Sequence, residues 1–184
     1  MKIIKELEKA VKELKKEKKF IYLIPEVRTN FVYGKENMKK IKDIAGVDGR
    51  ITVVNNKPYP AGKIKFGASD HLARLLLEVR KYNKKYFSAI NFKFDRKMLK
   101  IIKKVVKERK IKIGVIDREK EPERFRLKDK KSMPWKIAYL YKRYKEIPQI
   151  FYETAGLGKE PLFVILGENP REIISIIKEI LKYL

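Results

Sequence analysis

The sequence contains no cysteine and only one histidine, His71. The absence of cysteine excludes disulfide bonds and thiolate metal sites and is typical of intracellular proteins, so we expect a cytoplasmic location. With a single histidine, we expect no structural zinc site and no three-histidine catalytic zinc site. The apolar runs are short and interrupted by lysines, so we expect no membrane-spanning helix, and the amphipathic N-terminus is unlike a signal peptide.

Acidic residues are also scarce relative to basic ones, with 23 Asp and Glu against 47 Lys and Arg and a formal net charge of +24. Such a charge fits a nucleic-acid-binding protein. The lysines occur on every predicted element without clustering along the sequence, which favours a solvated, lysine-rich surface, and we expect no nucleic-acid partner. A polyanionic small substrate would also be attracted to this field.

The length of 184 residues and the hydrophobic content of 44% predict a single globular domain. Hydrophobic periodicity and capping residues predict helices at 2–18, 69–82, 96–109 and 170–184 and one more that starts at Ser132 as its N-cap. Asp95 is the predicted cap of the helix at 96–109, and Asn169 begins a segment that resembles a capping box at the start of the last helix. Short apolar or alternating runs predict strands at 20–24, 43–47, 51–54, 63–66, 87–94, 111–116, 150–152 and 162–166.

This alternation of strands and helices predicts one α/β domain with three α/β/α layers and helices on both faces of a mixed sheet. The strand–helix–strand unit over residues 87–116 predicts a parallel pair of strands. The charged segment 117–131 contains a proline and is predicted to be an exposed loop. The helix at 2–18 has two interpretations: a docked first helix, or a linker from a longer chain.

The most informative stretch is residues 66–76, which combines the end of a strand, a turn at Gly67 and the start of a helix. Ser69 is the candidate N-cap, because its hydroxyl can accept an unpaired amide hydrogen of the first turn. A helix N-terminus suits an anion such as a phosphate, and Arg50 lies shortly upstream. His71, in the first turn, is therefore either a phosphate contact or a core histidine at a strand–helix junction.

The glycine-containing segment 156–159 resembles a phosphate-binding loop but lacks the Walker A spacing, because Lys159 is followed by Glu160 and Pro161. Two interpretations remain open: an amide nest for an anion with Lys159 as a point charge, or a hairpin connection whose glycines supply positive φ. A Ser–His nucleophile is not supported, because Ser69 and His71 point to different faces of a helix. Spacing does not choose among the carboxylates that could hold Mg²⁺ through a substrate phosphate, which are Glu26, Asp43, Asp48, Asp70, Glu153 and Glu160.

Four segments together resemble the archaeal-type thiamine-phosphate synthase family, ThiN. They are residues 24–30, residues 49–51 with 66–73, residues 132–135 and residues 156–161. They occur in the expected order from about residue 20 to the C-terminus, which the resemblance assigns to a synthase domain at 20–184. By this resemblance the N-terminal helix, residues 1–19, is a junction to a preceding hydroxymethylpyrimidine-phosphate kinase domain.

The resemblance implies a transferase that joins hydroxymethylpyrimidine diphosphate to hydroxyethylthiazole phosphate and releases diphosphate. It places the important arginine and histidine of the family at Arg50 and His71, as catalytic residues. Mg²⁺ would enter with the substrate diphosphate. We expect weaker substrate contacts from a wider set of residues: Glu26, Asn30, Gly67, Ser69, Asp70, Asn91, Ser132, Gly156, Gly158, Lys159 and Glu160.

The resemblance also implies a fold like that of the class II aldolase (AraD-like) domain. Those aldolases bind zinc through several histidines, and this chain has only His71, so the aldol chemistry is not expected here. Another branch of the family senses thiamine phosphate without turnover, which is the alternative function. The expected partners are phosphorylated pyrimidine and thiazole molecules, and the oligomeric state stays open, with a homo-oligomer among the outcomes.

Overall fold

The computed structural model describes residues 2–126, 129–156 and 158–184. Its helices are α1 (Lys2–Leu14), α2 (Asp70–Tyr82), α3 (Arg96–Arg109), α4 (Glu123–Arg126), α5 (Asp129–Tyr144) and α6 (Pro170–Lys182). Its strands are β1 (Phe31–Gly34), β2 (Ile44–Val47), β3 (Ile51–Val54), β4 (Lys57–Pro60), β5 (Ile64–Phe66), β6 (Ser88–Lys93), β7 (Ile113–Ile116), β8 (Ile150–Glu153) and β9 (Leu162–Gly167). Within these residues no helix is long and apolar enough to cross a membrane.

The main sheet is seven-stranded and mixed, in the order β5-β2-β1-β6-β9-β8-β7. Its only parallel pair, among the strands described, is β7 with β8, and the other neighbours are antiparallel. The predicted parallel pairing of the strands at 87–94 and 111–116 is therefore wrong. The β8–β9 hairpin lies between β6 and β7, so the two strands that flank α3 are not neighbours.

Helices cover both faces of this sheet, as predicted. One buried cluster joins the sheet to α1, α3 and α6, and a second joins its other face to α2 and α5. Strand β6 shows the division, because Ile90 and Phe92 belong to the first cluster while Ala89 belongs to the second. The three-layer α/β/α prediction is confirmed, and it places the start of α2 and the middle of α5 on the same face.

The N-terminal segment packs on the domain rather than away from it. Helix α1 buries Leu7 and Leu14 in the first cluster, which favours the docked helix over the free linker. It ends at Leu14 rather than at residue 18, and the predicted strand at 20–24 is wrong, since Lys18–Leu23 is a 3₁₀-helix. A 3₁₀ turn places residues three apart on one side, so this apolar run buries Phe20 and Leu23 without a strand partner. The division at residues 1–19 stays a prediction.

A small ribbon of β3 and β4 stands outside the main sheet. Asn55 and Asn56 form the turn between its strands, and both have positive φ, as a tight type I′ hairpin turn requires. No strand was predicted over the return arm, yet Lys57–Pro60 pairs with β3. Prolines are compatible with this arm because it is an edge strand.

The segment 117–131 is not the exposed loop that its charge predicted. It contains a short 3₁₀-helix at Arg118–Lys120, helix α4 and the first residues of α5, while residues 127 and 128 lie outside the described part of the chain. Arg118 and Glu121 are buried as an ion pair, with 2.9 Å between Nη2 and Oε2. Because the two charges compensate each other, a charged sequence can enter the interior here.

Helix starts were predicted with mixed success. Asp95 and Asn169 cap α3 and α6 as predicted, since their side chains accept hydrogen bonds from the backbone N–H of Met98 and Glu172. Ser69 occupies the N-cap position of α2, but its side chain makes no capping hydrogen bond. Ser132 is not an N-cap, because α5 already begins at Asp129.

Candidate active site

A cleft of about 510 Å³ opens at the N-terminus of α2. Its walls come from the loop before β1, the turn after β2, the ends of β6 and β8, helix α5 and the β8–β9 loop. Most of the predicted site residues line it, although they are widely separated in sequence: Asn30, Arg50, Ser69, Asp70, His71, Asn91, Gly158, Lys159 and Glu160. The backbone of Glu26 reaches the same place through Glu160.

The other predicted contacts lie elsewhere. Gly67 forms the left-handed turn into α2, with φ of 77°, and its N–H donates to the carbonyl of Ile44. Ser132 is fully buried in α5, where its hydroxyl donates to the Glu121 carboxylate. Gly156 packs against the Arg118 guanidinium. Each of these three residues contacts other groups of the protein, and a direct substrate contact stays a prediction for each.

Arg50 lies on the rim of the cleft in a left-handed conformation, with φ of 70°. The turn forms because Arg50 N–H donates to the carbonyl of Val47 and the Arg50 carbonyl accepts from Ala61. The exposed guanidinium donates to the carbonyl of Val27 across the rim. A guanidinium carries five N–H donors, so this contact orients Arg50 and leaves donors for an anion.

His71 is the second residue of α2, lines the cleft and is half-buried. It is therefore not part of the buried core, and the phosphate contact stays a prediction. The proximity of His71 is one of the causes that lower the pKa of the Glu153 carboxyl in the cleft. Arg74 follows one turn later on α2 and is ion-paired with Asp70. The Nη1 atom of Arg74 is buried and has no hydrogen-bond partner among the described residues.

Asn30 and Asn91 bind mainly backbone groups of the protein itself. The Asn91 side chain accepts from Asn30 N–H at 2.8 Å and donates to the carbonyl of Arg28 at 3.1 Å. The Asn30 side chain accepts from the N–H of Phe31 and of Val47 and donates to the Val47 carbonyl. Both amides therefore fix the loop before β1 to β2 and β6, and substrate contact by either one stays a prediction.

Glu160 joins two walls of the cleft. Its two carboxylate oxygens accept from the N–H groups of Glu26 and Val27, each at 3.1 Å. The β8–β9 loop that carries Glu160 is thereby tied to the loop before β1. We call this pair of hydrogen bonds the Glu160 clasp. It fixes the Val27 carbonyl to which Arg50 donates.

The loop before Glu160 is a hairpin connection, as one of the two interpretations predicted. Gly156 and Lys159 exchange two backbone hydrogen bonds of 3.2 and 2.9 Å, and β8 and β9 are antiparallel neighbours. Gly158 has φ of 63°, which glycine adopts without strain. The N–H groups of Gly156 and Lys159 are used inside the hairpin, which weakens the amide-nest interpretation. Leu157 lies outside the described residues.

A buried network of charged side chains forms the floor of the cleft. Lys136 Nζ lies 2.7 Å and Arg118 Nη1 2.9 Å from Oε2 of Glu153, and Arg118 also pairs with Glu121. Lys136, Arg118 and Glu121 are almost completely buried. Burial alone would raise the pKa of Glu153, but the Lys136 ammonium, assisted by His71 and Arg118, holds this pKa below its usual value. Glu153 is therefore an anion in the folded protein at neutral pH.

Sequence reasoning missed Lys136, Arg74 and Arg118, and it named Glu153 only among several carboxylates. Arg74 lies in the stretch 66–76, one helical turn after Asp70, so the i,i+4 spacing of opposite charges was a usable signal. Lys136 directly follows residues 132–135, one of the segments that resemble the family, although nothing in the sequence distinguishes it from other lysines. In the described residues no group of three or more His, Cys, Asp or Glu side chains is arranged to hold a metal ion.

The model of the family described as thiamine-phosphate synthase ThiN matches residues 6–179. The chain belongs to this family. The bifunctional thiamine biosynthesis protein ThiDN of Methanocaldococcus jannaschii is 33% identical over 184 residues, which cover 98% of this chain and 41% of that protein. The thiamine-phosphate synthase ThiN of Methanothermobacter thermautotrophicus is 28% identical over 179 residues, covering 97% of this chain and 92% of that protein. The chain thus spans less than half of its bifunctional relative.

Solved structures agree with this assignment. The C-terminal domain of a phosphomethylpyrimidine kinase is 40% identical, with a TM-score of 0.92, over 97% of this chain and 98% of that chain. The Escherichia coli protein YgbL, a candidate aldolase, epimerase or decarboxylase, is 10% identical with a TM-score of 0.50, over 95% of this chain and 86% of that chain. This second likeness concerns the fold alone, and it supports the predicted aldolase-like architecture.

Membership of the ThiN family and the names of both relatives support thiamine-phosphate synthase function, and with it a transferase activity. The predicted family is therefore confirmed. The bifunctional relative and the kinase whose C-terminal domain matches also support a fusion of such domains with a kinase. For this chain the kinase fusion and the oligomeric state stay predictions.

Proposed function

We propose that this ThiN domain joins hydroxymethylpyrimidine diphosphate to hydroxyethylthiazole phosphate and releases thiamine phosphate and diphosphate. The observation that carries this proposal is the position of Arg50 and His71 in one cleft at the N-terminus of α2. They are far apart in sequence, and each was assigned a role by resemblance alone. Their convergence on a helix N-terminus, which favours anions, supports a common phosphorylated ligand.

The charges of the cleft suit two substrates that each carry one anionic group, a diphosphate and a phosphate. Arg50, Arg74 and Lys159 add to the helix N-terminus around the opening. Arg50 offers a planar fork that matches pairs of diphosphate oxygens. The buried Nη1 of Arg74 offers a further donor that no described residue uses. We assign diphosphate binding to Arg50 and His71, with Arg74 and Lys159 as additional contacts.

The reaction breaks the bond between the pyrimidine methylene carbon and the diphosphate oxygen, and the bonding electrons leave with the diphosphate. The thiazole nitrogen then donates its lone pair to that carbon and forms the new carbon–nitrogen bond. The protein contributes by holding the two rings in line and by stabilising the negative charge that develops on the leaving group. Arg50 and His71 act on that leaving group.

Mg²⁺ would be held mainly by the oxygens of the bound diphosphate, whose negative charge it neutralises. The cleft carboxylates fit this secondary role. Glu153 is paired with Lys136, Glu160 accepts two backbone N–H groups, and Asp70 pairs with Arg74 while its side chain stays 60% exposed. Asp70 is the carboxylate of the cleft that would help to hold the metal beside the diphosphate.

The test is to incubate the protein with both substrates and Mg²⁺ and to measure thiamine phosphate by chromatography. We expect the wild type to turn over, and Arg50→Lys and His71→Ala to lose about a hundredfold or more in kcat/KM, the scale of losing a group that stabilises leaving-group charge. Arg171→Lys is the matched control, because Arg171 is exposed on α6, a helix of the opposite face. This control should keep full activity.

Two results would contradict the proposal. Absence of product while thiamine phosphate still binds would indicate the ligand-sensing alternative. Full activity of folded Arg50→Lys and His71→Ala would show that the cleft is not where the reaction occurs. Circular dichroism of each variant separates loss of activity from loss of fold.

A further inference from the structure

Lys136 and Glu153 are the buried charged pair of the cleft, and the function proposed above leaves them without a role. Lys136 on α5 and Glu153 at the end of β8 both line the cleft, and their charged atoms are 2.7 Å apart. Buried ion pairs are costly, because removing two charges from water offsets most of their attraction. Because the pair lies in a ligand cleft and costs free energy to bury, an interaction with the ligand would account for its presence there.

Both members of the pair can still bind a ligand. Lys136 and Arg118 both approach Oε2 of Glu153, and a carboxylate offers about four lone-pair positions, so Oε1 keeps acceptor capacity. The Lys136 ammonium has three N–H donors, which is more than its contact with Glu153 requires. The pair thus presents an anionic acceptor directly beside a cationic donor. Arg118 pairs with the same carboxylate of Glu153 but does not line the cleft, and Gly156 lies beside the Arg118 guanidinium.

The two proposed substrates differ in what they offer such a pair. The pyrimidine carries an amino group that donates, next to a ring nitrogen that accepts. The thiazole ring has no N–H donor. An acceptor beside a donor is therefore complementary to one edge of the aminopyrimidine and not to the thiazole. The cleft walls also include the apolar side chains of Leu72 and Leu162, which suit the faces of a flat ring.

We propose that Glu153 and Lys136 recognise the aminopyrimidine ring, with Glu153 accepting from the amino group and Lys136 donating to the adjacent ring nitrogen. Arg118 is a positioning residue that keeps Glu153 in place. This inference rests on the proposed function. It orients the substrate with its ring toward the buried floor and its phosphates toward Arg50 and the start of α2.

The test compares the binding of thiamine phosphate and oxythiamine phosphate by isothermal titration calorimetry. Oxythiamine phosphate carries a carbonyl oxygen in place of the amino group and a hydrogen on the neighbouring ring nitrogen, so its donor and acceptor are reversed. We expect the wild type to prefer thiamine phosphate about tenfold or more, because the reversed edge leaves buried polar groups unpaired. In Glu153→Gln the amide can rotate to donate, so the preference should fall to about threefold or less.

The matched control is Glu179→Gln, which removes a carboxylate paired with an arginine, at 2.5 Å, on the far side of the sheet. It should keep the preference of the wild type. If Glu153→Gln does not fold, Glu153→Asp retains the charge but withdraws it by one methylene, and the same loss of preference is expected.

The possible results distinguish a failure of this inference from a failure of the proposed function. Equal affinity of the wild type for both ligands, or an unchanged preference in folded Glu153→Gln or Glu153→Asp, would overturn this inference while the proposed function stands. Binding of neither ligand by the wild type would overturn the proposed function and this inference with it. A loss of stability in Glu153→Gln with the preference intact would mark the pair as structural.

Discussion

Arg50 adopts a backbone conformation that L-residues with a Cβ atom disfavour. Its φ of 70° costs about 1–2 kcal/mol relative to an ordinary turn residue. Arg28, in the loop facing Arg50, has φ of 65°, so two arginines near the cleft share this feature. Glycine would remove the backbone cost at Arg50, and the arginine side chain must therefore contribute something that glycine cannot.

Arg50→Gly separates the backbone of this residue from its side chain. Relief of the left-handed conformation and the larger entropy of glycine in the unfolded chain oppose each other, so the free energy of unfolding should change by less than about 1 kcal/mol. Activity should fall about a hundredfold or more, because the leaving group loses its guanidinium. Urea unfolding and the synthase assay measure the two effects. A large loss of stability would instead show that Arg50 mainly stabilises the fold through its hydrogen bond to the Val27 carbonyl.

Glu153 should make stability depend on pH in the acidic range. Its pKa in the folded protein is lowered from the usual 4.5, so its contribution is present above that value and is lost as the pH falls through the lowered pKa. In urea unfolding from pH 6 to pH 3, the stability of Glu153→Gln should decline less steeply than that of the wild type. At pH 7 this variant should be about 3 kcal/mol less stable, since Lys136 is left buried without its partner.

Glu179 provides the comparison for this measurement. The hydrogen bond from Arg109 lowers the pKa of Glu179 as well, but its side chain is 31% exposed, so solvent screens the pair. Glu179→Gln should flatten the acid profile only slightly. Identical profiles for the wild type and Glu153→Gln would show that the Glu153 carboxylate does not carry the acid dependence.

At the scale of elements, the Glu160 clasp connects two loops that belong to different strands. Glu160→Ala removes two exposed hydrogen bonds, so we expect a loss of about 1 kcal/mol in stability. The larger effect should be on substrate binding, because the Val27 carbonyl that orients Arg50 is no longer fixed. We expect KM to rise about tenfold while kcat changes less, since positioning of the diphosphate contributes to both ground-state and transition-state binding.

Steady-state kinetics of Glu160→Ala measures this difference, with Glu8→Ala on the exposed face of α1 as its control. A fall in kcat at unchanged KM would contradict the clasp and would indicate that Glu160 itself acts in the chemical step. A large drop in melting temperature would show that the clasp supports the fold rather than the site.

The elements that sequence predicted best are those whose signals are local. The caps Asp95 and Asn169 stand a few residues from the N–H groups that they bind, so the starts of α3 and α6 could be read directly. The 3₁₀-helix at Lys18–Leu23 could not, because a short apolar run fits a strand as well as a turn. The buried part of 117–131 was missed since the carboxylates that Arg118 needs lie at Glu121 and, much further along, at Glu153.

At the scale of the whole molecule, strand order and the composition of the cleft depend on distant partners. The pattern of elements predicted three layers, but nothing local specifies that β8 and β9 insert between β6 and β7. The resemblance to family motifs identified Arg50 and His71 as site residues. Lys136 became visible only when α5 was packed against β8, because its significance lies in the 2.7 Å contact with Glu153.

The fold brings some of the basic side chains behind the net charge of +24 close together. Five lysines line a second groove, of about 680 Å³, between the end of α1 and the β3–β4 ribbon: Lys12, Lys15, Lys16, Lys18 and Lys57. Most of them lie at the C-terminal end of α1 or just beyond it, where cations stabilise the unpaired carbonyl groups of a helix. Local helix chemistry thus accounts for this cluster, and the absence of a nucleic-acid partner stays a prediction.

The Glu160 clasp has a consequence for the time course of folding. It joins residues 133 positions apart, so it closes only after nearly the whole chain between them has reached its place. A partly folded molecule with its helices and most of its sheet formed would still lack a complete cleft wall. Ligand binding should therefore recover with the slowest refolding phase, after helical structure has returned. The rate at which binding recovers would then report the rate at which folding is completed.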